Sequence, residues 1–75
     1  MDWSQQEVQF IIADYFAMLE LELENIKYNK SEHRAALLQI IKRSKGSIEF
    51  KHQNISAVLS RMELPFISGY KPKFN

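Results

Sequence analysis

Seventy-five residues make one domain with a thin core, and the absence of cysteine excludes a disulfide framework or a thiolate–zinc site as its support. The composition is 45% hydrophobic but contains no long apolar run, which indicates a globular domain and excludes a membrane-spanning helix. A chain without cysteine also fits the reducing cytoplasm, and we expect that localisation.

The net charge of +1 conceals an uneven distribution of charge along the chain. Residues 1–25 contain six acids and no Lys or Arg, whereas residues 26–75 contain ten bases and three acids. Such asymmetry indicates a basic surface with an anionic partner, of which nucleic acid is the usual one. The alternative is that the acidic segment packs beside the basic one and neutralises it, and charge alone leaves both interpretations open.

The first predicted helix begins at a capping box. The Ser4 hydroxyl can accept a hydrogen bond from the amide of Glu7, whose carboxylate can reach back to the amide of Ser4. Apolar residues then recur at helical spacing as far as Leu23, and we expect the helix to fray near Asn25.

A second helix is predicted to begin at an Asn29 N-cap, with Glu32 three residues later, and to end at about Lys42. Residues 43–47 are then expected to form a turn. The predicted apolar side of this helix comprises Ala36, Leu37, Ile40 and Ile41.

Two interpretations compete for residues 48–62. One is a single helix, and the other is a short helix capped by Ser47, a turn near residues 52–54, and another helix capped by Asn54. We favour the second interpretation because Asn54 is a good N-cap residue and Phe50 lies off the apolar face of a single helix.

Pro65 ends helix formation, and residues 65–74 are predicted to form an extended tail that is aromatic and basic. The predicted fold is therefore all-α, a small bundle of three to four helices with a helix-turn-helix-like segment and an extended C-terminal tail. Residues 1–75 form a single domain in this prediction.

No catalytic residue, metal or cofactor is predicted for this chain. His33 and His52 lack the spacing of a metal-binding pair. Glu49 and Lys51 match half of a Glu-x-Lys nuclease site, but the nearest upstream Asp, Asp14, falls on a predicted helix instead of a strand. The serines have no recognisable His and carboxylate arrangement, and two glycines cannot build a phosphate-binding loop.

The segment from residue 43 to residue 61 is typical of a helix-turn-helix, in which the second helix places its first residues in the major groove of DNA. Gln and Asn can bond adenine, and Ser can bond several bases. The predicted groove-facing residues are Lys51, His52, Gln53, Asn54 and Ser56. The predicted contacts to the DNA backbone are Arg43, Lys45, Arg61, Lys71 and Lys73.

Two points remain open in this interpretation. Tyr70 and Phe74 can stack on an exposed base or close the core. The polar residues also have a purely structural interpretation. In it, Asn54 only caps a helix, His52 only occupies a turn, and the basic tail is only a solubilising linker.

Several stretches of the chain resemble a bacterial family of short N-terminal helical domains, found at the front of restriction-type endonucleases and related multidomain proteins. They are YFAML at residues 15–19, YNK and EHR at 28–34, RSKGSIEFKHQNISAVL at 43–59, PFI at 65–67 and GYKP at 69–72. The resemblance covers nearly the whole chain. It carries no binding residue over to this sequence.

The resemblance implies a DNA-recognition domain that is the N-terminal part of a larger protein, with a nuclease or effector domain after it. Some members look like modification-dependent restriction enzymes, which cut DNA that carries methylated cytosine. Double-stranded DNA, including DNA with 5-methylcytosine, is therefore an expected partner, and the parent's effector domain is another. The oligomeric state stays open.

The alternative function is a protein-interaction or dimerisation module that docks the effector domain of the parent protein. It would use the broad apolar face of the first helix, and it requires Phe10, Phe16 and Met18 to be exposed.

Overall fold

The computed structural model describes residues 3–74, and these form three α-helices: α1 (Gln5–Leu23), α2 (Lys30–Leu38) and α3 (Lys45–Arg61). The described residues contain no strand. The prediction of a small all-α bundle is confirmed. No helix among the described residues has both the length and the apolar character that crossing a bilayer demands.

The long-range contacts give the direction of each helix. Tyr15 of α1 bonds Ser56 of α3, and the pairs Ile11 with Ile48 and Leu19 with Leu59 belong to common core clusters. Residue numbers therefore increase together along α1 and α3, which makes the two helices roughly parallel. In α2 the order is reversed, because His33 bonds Asp14 while Leu37 clusters with Ile11.

Local capping places the starts of α1 and α2 where the sequence predicts them. Ser4 Oγ accepts from the Glu7 amide at 3.1 Å, and Glu7 Oε1 accepts from the Ser4 amide at 2.9 Å. Asn29 Oδ1 accepts from the Glu32 amide at 3.1 Å. The expected end of α1 is also confirmed, since Asn25 adopts the left-handed conformation (φ 60°) that Asn tolerates after a helix.

The prediction that the second helix continues to Lys42 is wrong. The helix ends at Leu38, and a turn follows in which the amides of Ile40 and Ile41 both bond the carbonyl of Leu37. This turn sends Ile41 into the core and leaves Ile40 exposed, so Ile40 does not belong to the buried side.

The predicted turn at residues 52–54, and with it the helix-turn-helix within residues 43–61, is also wrong. α3 is one continuous helix, and its N-cap is Ser44 instead of Ser47, with Ser44 Oγ accepting from the Ser47 amide at 3.1 Å. The polar stretch that suggested a turn contains His52, which points into the bundle and is fully buried.

The tail after α3 is an integral part of the core. Residues 65–74 contain no helix, but Ile67 and Tyr70 are buried against α1 and α3. The Ile67 amide donates to the Tyr15 hydroxyl at 3.0 Å, and the Lys73 amide donates to the Gln53 carbonyl at 3.2 Å. The tail therefore binds along α3 and closes one side of the core.

Candidate nucleic-acid interface

A carboxylate flanked by two histidines joins the three helices at the centre of the bundle. Asp14 Oδ1 lies 2.7 Å from His33 Nδ1, and Asp14 Oδ2 lies 3.1 Å from His52 Nε2. Each residue comes from a different helix. Because the helices meet through these hydrogen bonds, the cluster orients α2 and α3 against α1.

Asp14 is ionised in this cluster. Burial acts to raise the pKa of Asp14, but hydrogen bonds from His52 and His33 outweigh burial and hold the pKa below its ordinary value. An ionised carboxylate only accepts hydrogen bonds, so the ring nitrogens that face Asp14 carry protons. Within residues 3–74, Nδ1 of His52 has no hydrogen-bond partner.

Three of the predicted DNA-contacting residues lie in the interior. His52 is fully buried and stacks on the Tyr70 ring, with 4.7 Å between centroids. Ser56 Oγ lies 2.6 Å from the buried Tyr15 hydroxyl. Burial also raises the pKa of Tyr70. His52 and Ser56 are buried away from DNA, and the prediction that they contact it is wrong. Of the two alternatives for Tyr70, the structure shows the one in which it closes the core.

Arg43 connects the loop before α3 to the start of α1. Its guanidinium donates to the two carboxylate oxygens of Glu7 at 3.0 and 2.9 Å and lies over the Trp3 ring at 4.5 Å. The hydrogen bonds from Arg43 and from the Ser4 amide lower the pKa of Glu7 to about 2. Glu7 of α1 thus neutralises the charge of Arg43. Because Arg43 joins the loop to α1 through this pair, it is a poor candidate for a phosphate contact.

The remaining predicted contact residues lie at the surface or near it. Gln53 and Asn54 are half-buried under the tail, where Asn54 Nδ2 donates to the Lys73 carbonyl at 2.6 Å. Asn54 is thus a tail anchor instead of a helix cap. Among the predicted contact residues, the exposed cations are Lys45, Arg61, Lys71 and Lys73, and Lys51 is half-buried.

All five of these cations lie on α3 or on the tail that docks on it, and we call the four from residue 51 onwards, Lys51, Arg61, Lys71 and Lys73, the basic ridge. α3 contains no acid from residue 51 to residue 61. Lys51 Nζ lies 5.4 Å from the centre of the Trp3 ring, and the Arg61 guanidinium lies 4.4 Å from that of Phe74. Phe74 therefore stacks on a side chain of its own chain.

An apolar groove of about 190 Å³ runs between α1 and α3 beside this ridge. Its walls comprise Trp3, Val8, Ile11, Ile12, Lys51, Asn54, Ile55 and Val58. Phe10 and Phe16 of α1 are exposed, as the interaction-module alternative requires, but Met18 is fully buried. The prediction of an exposed Met18 is wrong because this side chain packs in the core with Tyr15 and Leu59.

Sequence reasoning missed the role of Asp14 and His33. The sequence pattern places Asp14 on a helix, outside a nuclease site, and leaves His33 without the spacing of a metal ligand. The available signal was the place of Asp14 in α1, directly before the buried Tyr15 and at the margin of the apolar face. A carboxylate there needs hydrogen-bond donors from another element.

The free energy of unfolding is expected to decrease as the pH falls from about 4.5 towards 2. The carboxyls of Glu7 and Asp14 have depressed pKa values in the folded chain. Each therefore contributes stability that is present above its unfolded pKa and is lost as the pH falls through its folded pKa. Urea denaturation at several pH values measures the slope.

Glu7→Gln should show a shallower decrease between pH 4.5 and about 2. The matched control is Glu20→Gln, which changes an exposed acid of the same helix and should keep the original slope. Equal slopes for the two variants would contradict the assignment of the acid-sensitive stability to the Glu7–Arg43 pair.

Comparisons of this chain with protein-family models, with curated proteins and with solved structures found no match, so the family resemblance of the sequence stays a hypothesis.

Proposed function

We propose that this chain is a DNA-binding domain that contacts the phosphate backbone through the basic ridge. The observation that carries the proposal is the grouping of Lys51, Arg61, Lys71 and Lys73 on α3 and its docked tail, beside a helix segment without acids. Cations grouped in this way attract a polyanion, and they release its counterions on binding.

The spacing of the ridge suits a DNA duplex. Lys51 and Arg61 are ten residues apart, which corresponds to about 15 Å along a helix axis. The major groove is about 12 Å wide. Two cations at this spacing can reach phosphates on the two sides of the groove, while the tail adds Lys71 and Lys73. Such contacts position a protein on the duplex without reading its sequence.

The family resemblance supports a wider form of the proposal. In this form the chain is the DNA-recognition domain of a bacterial restriction endonuclease-type protein in the cytoplasm, and catalysis belongs to an effector domain elsewhere in the parent. DNA that contains 5-methylcytosine is then a ligand to be compared with unmethylated DNA.

Binding to a fluorescently labelled duplex of about 20 base pairs, unmethylated and cytosine-methylated, tests the proposal by anisotropy. Four phosphate contacts predict a slope of about −3.6 for the logarithm of the affinity against that of the salt concentration, or a loss of roughly a hundredfold between 50 and 200 mM salt. A preference for the methylated duplex would support the modification-dependent form.

Two double variants distinguish DNA binding by the basic ridge from DNA binding by the net charge of the chain. Arg61→Gln/Lys73→Gln removes two ridge cations and should reduce the salt slope by about 2. Lys27→Gln/Lys42→Gln removes two exposed lysines away from the ridge and should bind almost as the original chain does. Asn54 is left intact because it anchors the tail. If both variants lose the same affinity, the ridge is not the binding surface.

A second candidate function is supported by the apolar groove between α1 and α3. Its lining of Trp3, Val8, Ile12, Ile55 and Val58 favours an apolar protein segment, as an interaction module docking the parent's effector domain would need. Binding of that domain with little dependence on salt, together with no DNA binding at low salt, would favour this candidate over the first.

A further inference from the structure

We infer that the face between α1 and α3 binds a second copy of this chain. The face carries two parallel strips. The acidic strip of α1 comprises Ile12, Phe16, Glu20 and Leu23, and the basic strip of α3 comprises Lys51, Val58, Arg61 and Met62. This inference does not rest on the proposed DNA binding.

The apolar members of each strip are aligned and exposed. Ile12, Phe16 and Leu23 are separated by four and seven residues, and Val58 and Met62 by four, which places each set on one side of its helix. Their exposed fractions are 42%, 44% and 59% on α1, and 55% and 61% on α3. Aligned apolar side chains of this kind mark an interaction site, unlike isolated ones.

The charges of the two strips identify the occupant. One strip bears an acid and the other bears bases, so each strip is complementary to the other. A second copy brings both strips at once, and a two-fold axis parallel to the helices places the α1 of each copy on the α3 of the other. An interface with this symmetry uses the same patch on both copies and closes at the dimer.

The level of the charges along the bundle agrees with this arrangement. Leu19 and Leu59 pack in one cluster, so Glu20 of α1 lies at about the level of Ser60 and Arg61 of α3. Rotation about a two-fold axis parallel to the helices leaves each residue at the same height along the bundle. Glu20 of each copy then faces Arg61 of the other copy, and the four helices form a bundle around the apolar strips.

The dimer and the DNA duplex compete in this arrangement. Lys51 and Arg61 belong both to the basic strip and to the basic ridge, so a chain in the dimer presents fewer cations to phosphate. Self-association is therefore measured without DNA, and its failure is distinguishable from failure of DNA binding.

Sedimentation equilibrium of the chain at low salt, from about 1 µM to about 1 mM, tests the inference. We expect the apparent mass to rise from 8.9 kDa towards twice that value. Phe16→Ser/Val58→Ser removes an apolar residue from each strip and should stay monomeric. Phe10→Ser/Ile40→Ser changes exposed apolar residues off the strips and should still dimerise. Circular dichroism verifies that both variants remain helical.

A charge exchange tests the orientation of the two copies. Glu20→Arg and Arg61→Glu should each weaken the dimer, because each places like charges opposite one another. The variant with both changes should dimerise again. A mass of 8.9 kDa at every concentration would overturn the inference, and so would a dimer that survives Phe16→Ser/Val58→Ser. Failure of the double charge variant to recover would overturn the parallel two-fold arrangement.

Discussion

Replacing Tyr15 with alanine is expected to unfold most of the chain at room temperature. Tyr15 is fully buried, and its ring lies 6.0 Å from that of His52 and 6.5 Å from that of Tyr70. Truncation of a buried aromatic side chain to alanine costs about 3–5 kcal/mol. A domain of this length has a total stability of only about 4–11 kcal/mol, and a thin core places it in the lower part of that range.

The hydroxyl of Tyr15 makes its own contribution, which Tyr15→Phe isolates. Without the hydroxyl, Ser56 Oγ and the Ile67 amide lose a buried hydrogen-bond partner, at a cost of about 1–3 kcal/mol. Far-UV circular dichroism and urea denaturation measure the loss of stability in Tyr15→Ala and in Tyr15→Phe. Phe10→Ala, a half-exposed aromatic of the same helix, is the matched control and should lose less than about 1 kcal/mol. An unchanged urea midpoint for Tyr15→Ala would contradict the role of this residue as the centre of the core.

Replacing Asp14 with alanine is expected to destabilise the chain by about 2–4 kcal/mol, since two hydrogen-bond donors lose their acceptor at about 1–3 kcal/mol each. The larger share belongs to His52, which is fully buried. His33 is partly exposed, so solvent can replace part of its lost bond.

Urea denaturation at neutral pH measures this loss. The matched control is Glu20→Ala, which removes an exposed acid of the same helix and should change stability by less than about 0.5 kcal/mol. Asp14→Asn retains one acceptor oxygen and should fall between the two. Should Asp14→Ala and Glu20→Ala prove equally stable, the His33–Asp14–His52 cluster would not be what joins the three helices.

The confirmed predictions rest on interactions between residues close in the chain. The cap at Ser4 bonds Glu7, and the cap at Asn29 bonds Glu32, in each case three residues away. Such contacts depend on local residue types alone, so a sequence pattern is sufficient to locate them. The charge asymmetry is likewise a property of the sequence alone.

The wrong predictions concern side chains whose partners lie far along the chain. His52 was placed in a turn because a polar residue on an apolar face looks like an interruption. It is accommodated in α3 because Asp14, 38 residues earlier, accepts a hydrogen bond from its Nε2, and the Tyr70 ring covers it. The sequence pattern predicts an extended tail without a defined packing partner, and the Tyr15 hydroxyl, 52 residues from Ile67, holds the tail in the core.

The sequence alone determined the helical class, the starts of α1 and α2, and the uneven distribution of charge along the chain. Tertiary structure decided that α3 is continuous, and it decided which polar residues are buried. It also divided the predicted contact residues into an interior set of His52, Ser56 and Tyr70 and an accessible basic ridge. The physical reason is that a helix start requires only neighbouring donors and acceptors, whereas the burial of a polar side chain requires a partner from another element.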